Sequence, residues 1–332
     1  MLFTADPKVA APLISAALAT AERILVLSHN HPDGDAVGSL LGVWHTLKLL
    51  GKQPIGLASS PLVTTVSQLP GVEQLLIYQP GQSLPATDLT ILVDSSELER
   101  TGPIYEEHAV TLNSHDLIVI DHHRATTGPG KINLIDPESA SCADLVHRLL
   151  RAMNLALTPE IATCLLMGLL TDTRNFRHSN TNSQALLAAA ELLEAGADHL
   201  GVVRAIYAGV PFPTIKLSGL VIQQMQAENG LYWGCVTQEM LRQTGANSEA
   251  AYDAAMGIMQ DAAGMQLCAL FKEYPDGTVK LSLRSVPGIN VAVIAQQWGG
   301  GGHNQAAGAT LQFNLAEAKE TVLPLLRKLL QS

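Results

Sequence analysis

The stretch Leu27–Ser39, LSHNHPDGDAVGS, sets His29, His31, Asp33 and Asp35 within seven residues, directly after the apolar run ILVL. Three further clusters carry the same donor types: Asp94 in VDSSE, Asp121-His122-His123 after LIVI, and Asp172 in LLTDTRNF. A set rich in carboxylates, with a few imidazoles and no thiolate, suits Mn²⁺, Mg²⁺ or Fe²⁺ better than structural zinc. Two such ions about 3.5–4 Å apart can clamp the attacking and leaving oxygens of a phosphoryl transfer. They also lower the pKa of a bridging water, so that hydroxide exists at neutral pH. Taken singly, each cluster has an ordinary reading, because an Asp after a strand commonly caps a helix or starts a turn. Four of them on the strand and helix ends of one domain are not explained that way. His31 shares the first motif and is read as lining the site.

The elements that must hold these residues are legible. RILVLS, LTILVD and LIVID read as buried strands, apolar throughout and ending at His29, Asp94 and Asp121, and PIGLAS reads as a further short strand. Helices follow at DAVGSLLGVWHTLKLLG, at SCADLVHRLLRAMN, and at TPEIATCLLMGLLTDT, the last with Thr158 as N-cap and Pro159 in its first turn. Such alternation predicts an α/β fold with a mainly parallel sheet covered on both faces. Ligands collect at the carboxyl ends of such strands, where the clusters fall. An Ala/Leu-rich helical stretch, Ser183–Ala208, leads into GVPFPT, whose two prolines read as a break. The predicted organisation is a catalytic domain over 1–190, a helical linker over 191–215 and a smaller α/β domain over 216–332. In the latter, LYWGCVT reads as a strand, SEAAYDAAMGIMQ as a helix, and MQLCALFKEYPDGTVKLSLRS as a hairpin turning at Pro275-Asp276-Gly277. NVAVIAQQW reads as a helix, GGGGH as a loop and LAEAKETVLPLLRKLL as a final helix.

Composition narrows the function classes. At 332 residues and 47% hydrophobic the chain can fill sizeable cores. The net charge is −10, and the first 200 residues hold 21 Asp and Glu against 11 Lys and Arg, together with ten of the eleven histidines. An acidic protein lacks the basic footprint that long duplexes require. A short phosphorylated ligand, neutralised locally by metal, remains compatible. Cys142, Cys164, Cys235 and Cys268 form no CxxC pair and read as reduced, buried thiols. With no signal peptide or spanning segment visible, a cytoplasmic protein without membrane attachment is expected. The apolar helices around Leu186–Leu193 and Val202–Tyr207 are candidates for pairing two subunits, domain packing being the alternative. Tyr207, Phe212, Tyr232 and Trp298 are the aromatics available for base stacking, although core or linker packing is the commoner use of such residues.

These clusters, in this order, resemble the DHH phosphoesterase superfamily, named for the triplet found here at Asp121–His123. GGGGHNQAAG, at Gly299–Gly308, resembles the glycine-rich signature of the DHH-associated C-terminal domain. The resemblance implies two divalent ions, usually Mn²⁺. One would be held by His29, Asp33 and Asp94, the other by Asp35, Asp94, His122 and Asp172, with Asp94 bridging. It also implies that His123 lies near the scissile phosphate and that Asp121 supports the histidines. In the C-terminal domain, Gly300, Gly301 and Gly302 would let the backbone approach a phosphate, and Arg284 and His303 would bind it. The compact layout is similar to the bacterial nano-RNases. It implies a manganese-dependent phosphodiesterase that hydrolyses short single-stranded oligoribonucleotides and dephosphorylates 3′-phosphoadenosine 5′-phosphate, its substrate gripped across an interdomain cleft. The alternatives are a cyclic or linear dinucleotide phosphodiesterase, and a pyrophosphatase or short polyphosphatase.

Overall fold

The computed structural model describes residues 1–125, 128–207, 211–246 and 255–331. The chain divides into two compact units, Met1–Gly209 and Val210–Ser332.

The first unit is built on a seven-stranded sheet whose pairings are all parallel. Its strands are β1 (Leu2–Thr4), β2 (Arg23–Leu27), β3 (Gln53–Ala58), β4 (Leu76–Ile77), β5 (Leu89–Val93), β6 (Leu117–Asp121) and β7 (Ile132–Ile135), in the spatial order β1-β7-β6-β5-β2-β3-β4. The chain winds outward in one direction from β2 to β3 and β4, and in the other through β5, β6 and β7. The switch between the two directions lies between β2 and β5, which opens a crevice at their carboxyl ends.

Alternation within the strands feeds two cores. Ile24, Val26, Ile91, Val93, Ile118 and Ile120 face one side, whereas Leu25, Leu27, Leu92, Leu117 and Val119 face the other. Helices α1 (Pro7–Thr20), α2 (Gly34–Leu49), α4 (Cys142–Ala152) and α5 (Pro159–Asp172) cover the first side. Ile104 and Leu112 of α3 (Pro103–Ser114) cover the second. Helix α5 is buried without interruption from Ile161 to Leu170, as expected of a helix apolar all round. Thr158 caps it and Pro159 opens it, as the sequence predicts.

Helices α6 (Ser183–Glu194) and α7 (His199–Tyr207) lie within the sequence-predicted helical stretch, up to Tyr207; Ala208 lies outside the described residues. Both pack in the first unit: Ala185, Ala188, Leu192 and Val202 enter its core. The part of the expected linker over 191–207 is therefore tied to the catalytic unit by ordinary apolar burial. Leu186, Leu187 and Leu193 face outward, each about half exposed.

The second unit holds a six-stranded mixed sheet in the order β12-β13-β11-β10-β9-β8. The strands are β8 (Gln226–Glu228), β9 (Leu231–Val236), β10 (Leu267–Glu273), β11 (Val279–Ser285), β12 (Gly301–His303) and β13 (Ala306–Leu311). The helical region is interrupted at GVPFPT: α7 ends at Tyr207 and a new helix begins at Phe212, with 208–210 outside the described residues. Pro211 and Pro213 open α8 (Phe212–Gln224), where a missing N–H costs nothing because the first turn has no partner for it. After α9 (Gln238–Thr244), the expected helix SEAAYDAAMGIMQ is helical over 255–260; its first seven residues, 248–254, lie outside the described residues. The predicted hairpin forms as β10 and β11. NVAVIAQQW folds as the short helix α10 (Ala292–Ala295), prolonged by a 3₁₀ turn. The final helix, α11 (Leu315–Leu330), opens with a capping box between Asn314 and Glu317. Among the described residues no single helix is long and apolar enough to cross a membrane.

Candidate metal centre

Each member of the cluster is set at an element end. His29 follows β2, Asp33 caps α2, and Asp35 lies in that helix's first turn. Asp94 follows β5, Asp121 ends β6, and Asp172 ends α5. The Oδ1 of Asp33 accepts from the N–H groups of Asp35 (3.0 Å) and Ala36 (3.1 Å). Its capping role and its place in the cluster are thus compatible, because one carboxylate oxygen does the capping and the other is left for a ligand.

Asp35 is 1% exposed. Its Oδ2 accepts from the Cys142 N–H (2.7 Å) and its Oδ1 from the Ala143 N–H (2.9 Å), so a carboxylate from α2 receives two free N–H groups in the first turn of α4. The close packing this needs comes from glycines. A side chain on Gly38 would run into the Cys164 carbonyl of α5. A Cβ on Gly168 would lie 2.5 Å from Asp35 Oδ1 and 2.7 Å from the Ala143 Cβ.

Four acidic and three imidazole side chains converge here. His29 Nε2 lies 3.4 Å from Asp94 Oδ2. His122 Nε2 lies 3.5 Å from Asp94 Oδ1, 3.7 Å from Asp172 Oδ2 and 3.8 Å from Asp35 Oδ2. The ligand atoms form overlapping groups, His29–Asp33–Asp94, Asp94–His122–His123 and Asp35–His122–Asp172, and within each group they lie within 4.8 Å of one another. Asp94 belongs to two of the groups, and its Oδ1 is buried without a hydrogen-bond partner among the described residues. A buried carboxylate oxygen in that state is costly unless a cation meets it. The oxygen-dominated donor set with imidazole nitrogens fits a hard or borderline divalent ion.

Second contacts fix the imidazoles. The His29 Nδ1–H donates to the Asn30 carbonyl (2.9 Å), which leaves Nε2 as the lone-pair nitrogen facing Asp94. Asp121 is fully buried, and its Oδ1 accepts from the His122 N–H (2.8 Å), the His123 N–H (3.2 Å) and the His123 Nδ1–H (2.8 Å). His123 therefore presents Nε2 outward, and its side chain is 42% exposed. His31 is exposed, with its N–H bonded to Asn30 Oδ1 and Ser60 Oγ, and it belongs to none of the three groups.

The electrostatics are those of a cluster short of positive charge. Burial raises the Asp35 pKa well above the usual carboxylate range, and the neighbouring charges of Asp94 and Asp172 raise it further. Burial likewise pushes Asp172 up to about 6. For Asp94, burial opposes ionisation, but the facing His122 and His29 imidazoles outweigh it and bring the pKa to about 2. For His122, burial lowers the pKa, yet Asp94, Asp35 and Asp172 overcome it and push it up to about 10.

Three participants were missed in the sequence reading. Cys142 bonds Asp35 and Asp94. Asn180 donates to Asp172 Oδ2 (3.3 Å) and to the Ala140 carbonyl (2.8 Å). Ser39 Oγ lies 3.3 Å from Asp35 Oδ1. Only the spacing of Ser39, one helical turn after Asp35, would have pointed to any of them.

Arg284 and His303 lie in the second unit. Both pair with Ala306 of β13, Arg284 from β11 and His303 from β12, so they stand in one row on one face of the sheet. The GGGGH segment is not a free loop: Gly301–His303 form edge strand β12. The Gly299 and Gly300 N–H groups donate to the carbonyls of Gln296 and Ala295, so neither is free to cradle an anion. A side chain on Gly300 or Gly302 would run into the β13 backbone, so these glycines serve strand pairing.

The chain is similar to known proteins along most of its length. Residues 23–169 match the DHH family, N-terminal domain, and residues 235–332 match the DHHA1 domain. The chain is 34% identical to the bifunctional oligoribonuclease and PAP phosphatase NrnA of Thermus thermophilus, across 92% of this chain and 89% of that one. It is 27% identical to the cyclic-di-AMP phosphodiesterase GdpP of Geobacillus thermodenitrificans, across 94% of this chain and 49% of that protein. In fold it is similar to an exopolyphosphatase-related protein from Bacteroides fragilis, with a TM-score of 0.89, 24% identity and 98% of each chain covered. The chain belongs to the DHH family and is a metal-dependent phosphoesterase.

Proposed function

We propose that the protein is a cytoplasmic, manganese-dependent phosphodiesterase that hydrolyses short single-stranded oligoribonucleotides and dephosphorylates 3′-phosphoadenosine 5′-phosphate. The observation that carries the chemistry is the sharing of Asp94 between neighbouring ligand groups. It supports two ions side by side, one held by His29, Asp33 and Asp94, the other by Asp35, Asp94, His122 and Asp172. The substrate class rests on the Thermus relative, which aligns with nearly the whole chain.

A pair of divalent ions supplies Lewis acidity to the phosphoryl oxygens and lowers the pKa of a water at neutral pH. The chain's own groups do the rest. Asp121 fixes the tautomer of His123, so that Nε2 is the nitrogen presented to a substrate. When Nε2 carries a second proton, the imidazolium, held by Asp121 at Nδ1, can orient the phosphate or give that proton to the leaving oxygen and return to the neutral Nδ1–H form. Arg284 and His303, on one sheet face, bind a second part of the substrate, with Gly300, Gly301 and Gly302 shaping the edge beside them.

The alternative, favoured by the likeness to GdpP, is a cyclic or linear dinucleotide phosphodiesterase; a pyrophosphatase or short polyphosphatase is the third reading. A turnover panel with Mn²⁺ separates them. It compares a diribonucleotide, a pentaribonucleotide, 3′-phosphoadenosine 5′-phosphate, linear and cyclic di-AMP, and pyrophosphate. The short RNAs and the bisphosphate should be turned over fastest. Asp94→Ala should lower the rate at least about 100-fold, because the effect of losing a shared ligand exceeds that of losing an outer partner. Preference for di-AMP would replace the substrate assignment. Near-normal turnover by Asp94→Ala at saturating Mn²⁺ would overturn the site.

A further inference from the structure

We infer that Cys142 is a positioning residue that ties together the two carboxylates assigned to the metal pair, Asp35 and Asp94, through its backbone N–H and its thiol. The inference rests on the metal site proposed above. Cys142 is the first residue of α4 and is fully buried. Its N–H donates to Asp35 Oδ2 at 2.7 Å. Its Sγ accepts from the Asp94 N–H at 3.2 Å, and its S–H donates to the Ile120 carbonyl, also at 3.2 Å. The same Asp94 N–H reaches the Ile120 carbonyl at 3.0 Å. The thiol therefore closes a three-membered set of contacts at the point where β5 and β6 end.

That point is where order is hardest to hold. Asp94 has a φ of 57°, in the left-handed region that most L-residues avoid. Left alone, the peptide before Asp94 would relax and swing the carboxylate away from His29 and His122. A thiol suits this place. Its longer C–S bond lets one sulfur accept from the Asp94 N–H and donate to the Ile120 carbonyl at once. The backbone bond to Asp35 survives any substitution except proline, whereas the bonds to Asp94 and Ile120 depend on the side chain.

The test measures Mn²⁺ affinity by calorimetry for the wild-type protein and for Cys142→Ala, Cys142→Ser and Cys164→Ala, with thermal unfolding of each in EDTA. Cys164 is an equally buried thiol, on α5, and serves as the packing control. Cys142→Ala should bind Mn²⁺ about tenfold more weakly, the scale expected for a partner of a ligand. Cys142→Ser, which keeps an O–H donor and acceptor, should recover most of that loss, and Cys164→Ala should bind as the wild type. Equal affinity in Cys142→Ala and wild type overturns the inference. So does an equal loss in Cys142→Ser while that variant stays folded in EDTA, and so does an equal loss in Cys164→Ala. If Cys142→Ala does not fold, the serine variant decides the matter alone. Wild-type protein that binds no Mn²⁺ removes the metal assignment itself, a different result from any of these.

Discussion

At the residue scale, the cluster packs carboxylates and imidazoles against one another in a buried place, and its protonation should show this. His122 has its folded pKa raised to about 10 from 6.5 by Asp94, Asp35 and Asp172, against burial. A raised histidine stabilises the fold fully below the unfolded value, and the contribution is lost as pH rises through the folded one. Asp172, raised to about 6 from 3.8, has largely lost its contribution by neutral pH. Asp94, lowered to about 2, contributes above 3.8 and changes nothing at alkaline pH. The window from 6.5 to about 10 is therefore governed by His122 together with His29, which Asp94 holds above 6.5 against burial, and the buried Asp35, also raised, acts with the same sign. In EDTA, Tm should fall as pH rises through that window. In Mn²⁺ the fall should be smaller, because metal replaces the imidazolium proton. The gap between the two Tm values should widen from pH 6.5 to about pH 9.5. A constant gap would detach His122 from the metal.

At the element scale, the decisive feature is the approach of α2 to α5 and α4. Gly38 and Gly168 let α2 come close enough for Asp35 to reach the first turn of α4, while Asp172 arrives from the end of α5. Alanine in a helix interior ordinarily stabilises by about 1 kcal/mol relative to glycine. Gly168→Ala should do the reverse. Its Cβ would press on Asp35 Oδ1 and Ala143 at once. Overpacking of this kind costs about 1–3 kcal/mol. Urea unfolding in EDTA should show that loss, and Mn²⁺ affinity should fall with it. A stabilised variant would mean that the seam is loose and does not set the position of Asp35.

At the scale of the whole molecule, the proposed function assigns a separate task to each of the two units. Every residue assigned to metal lies in the first unit, and Arg284 and His303 lie in the second. Losing a charge-assisted phosphate contact costs about 1.5–3 kcal/mol. Arg284→Ala or His303→Ala should therefore raise KM at least about tenfold, while Mn²⁺ affinity measured without substrate stays at the wild-type value. Loss of metal in either variant would contradict the separation.

The candidate ligands were legible because the chain presents them in short runs whose chemistry is local. Asp121, His122 and His123 are consecutive, and His29, Asp33 and Asp35 fall within one turn of chain after an apolar strand. The buried strands and the cap of α5 follow from periodicity and from the lack of partners for first-turn N–H groups. What the sequence did not show is what depends on distant segments meeting. Cys142 and Asp35 are 107 positions apart, and nothing in SCADLV marks the cysteine as a partner of two aspartates. The glycines of GGGGH suggested a phosphate loop, but only the pairing of Gly301–His303 with β13 showed them allowing close strand approach. Residue type and spacing determined the chemistry available to this protein. Packing decided which side chains hold that chemistry in place, because hydrogen bonding and close approach act through space, whatever the separation along the chain.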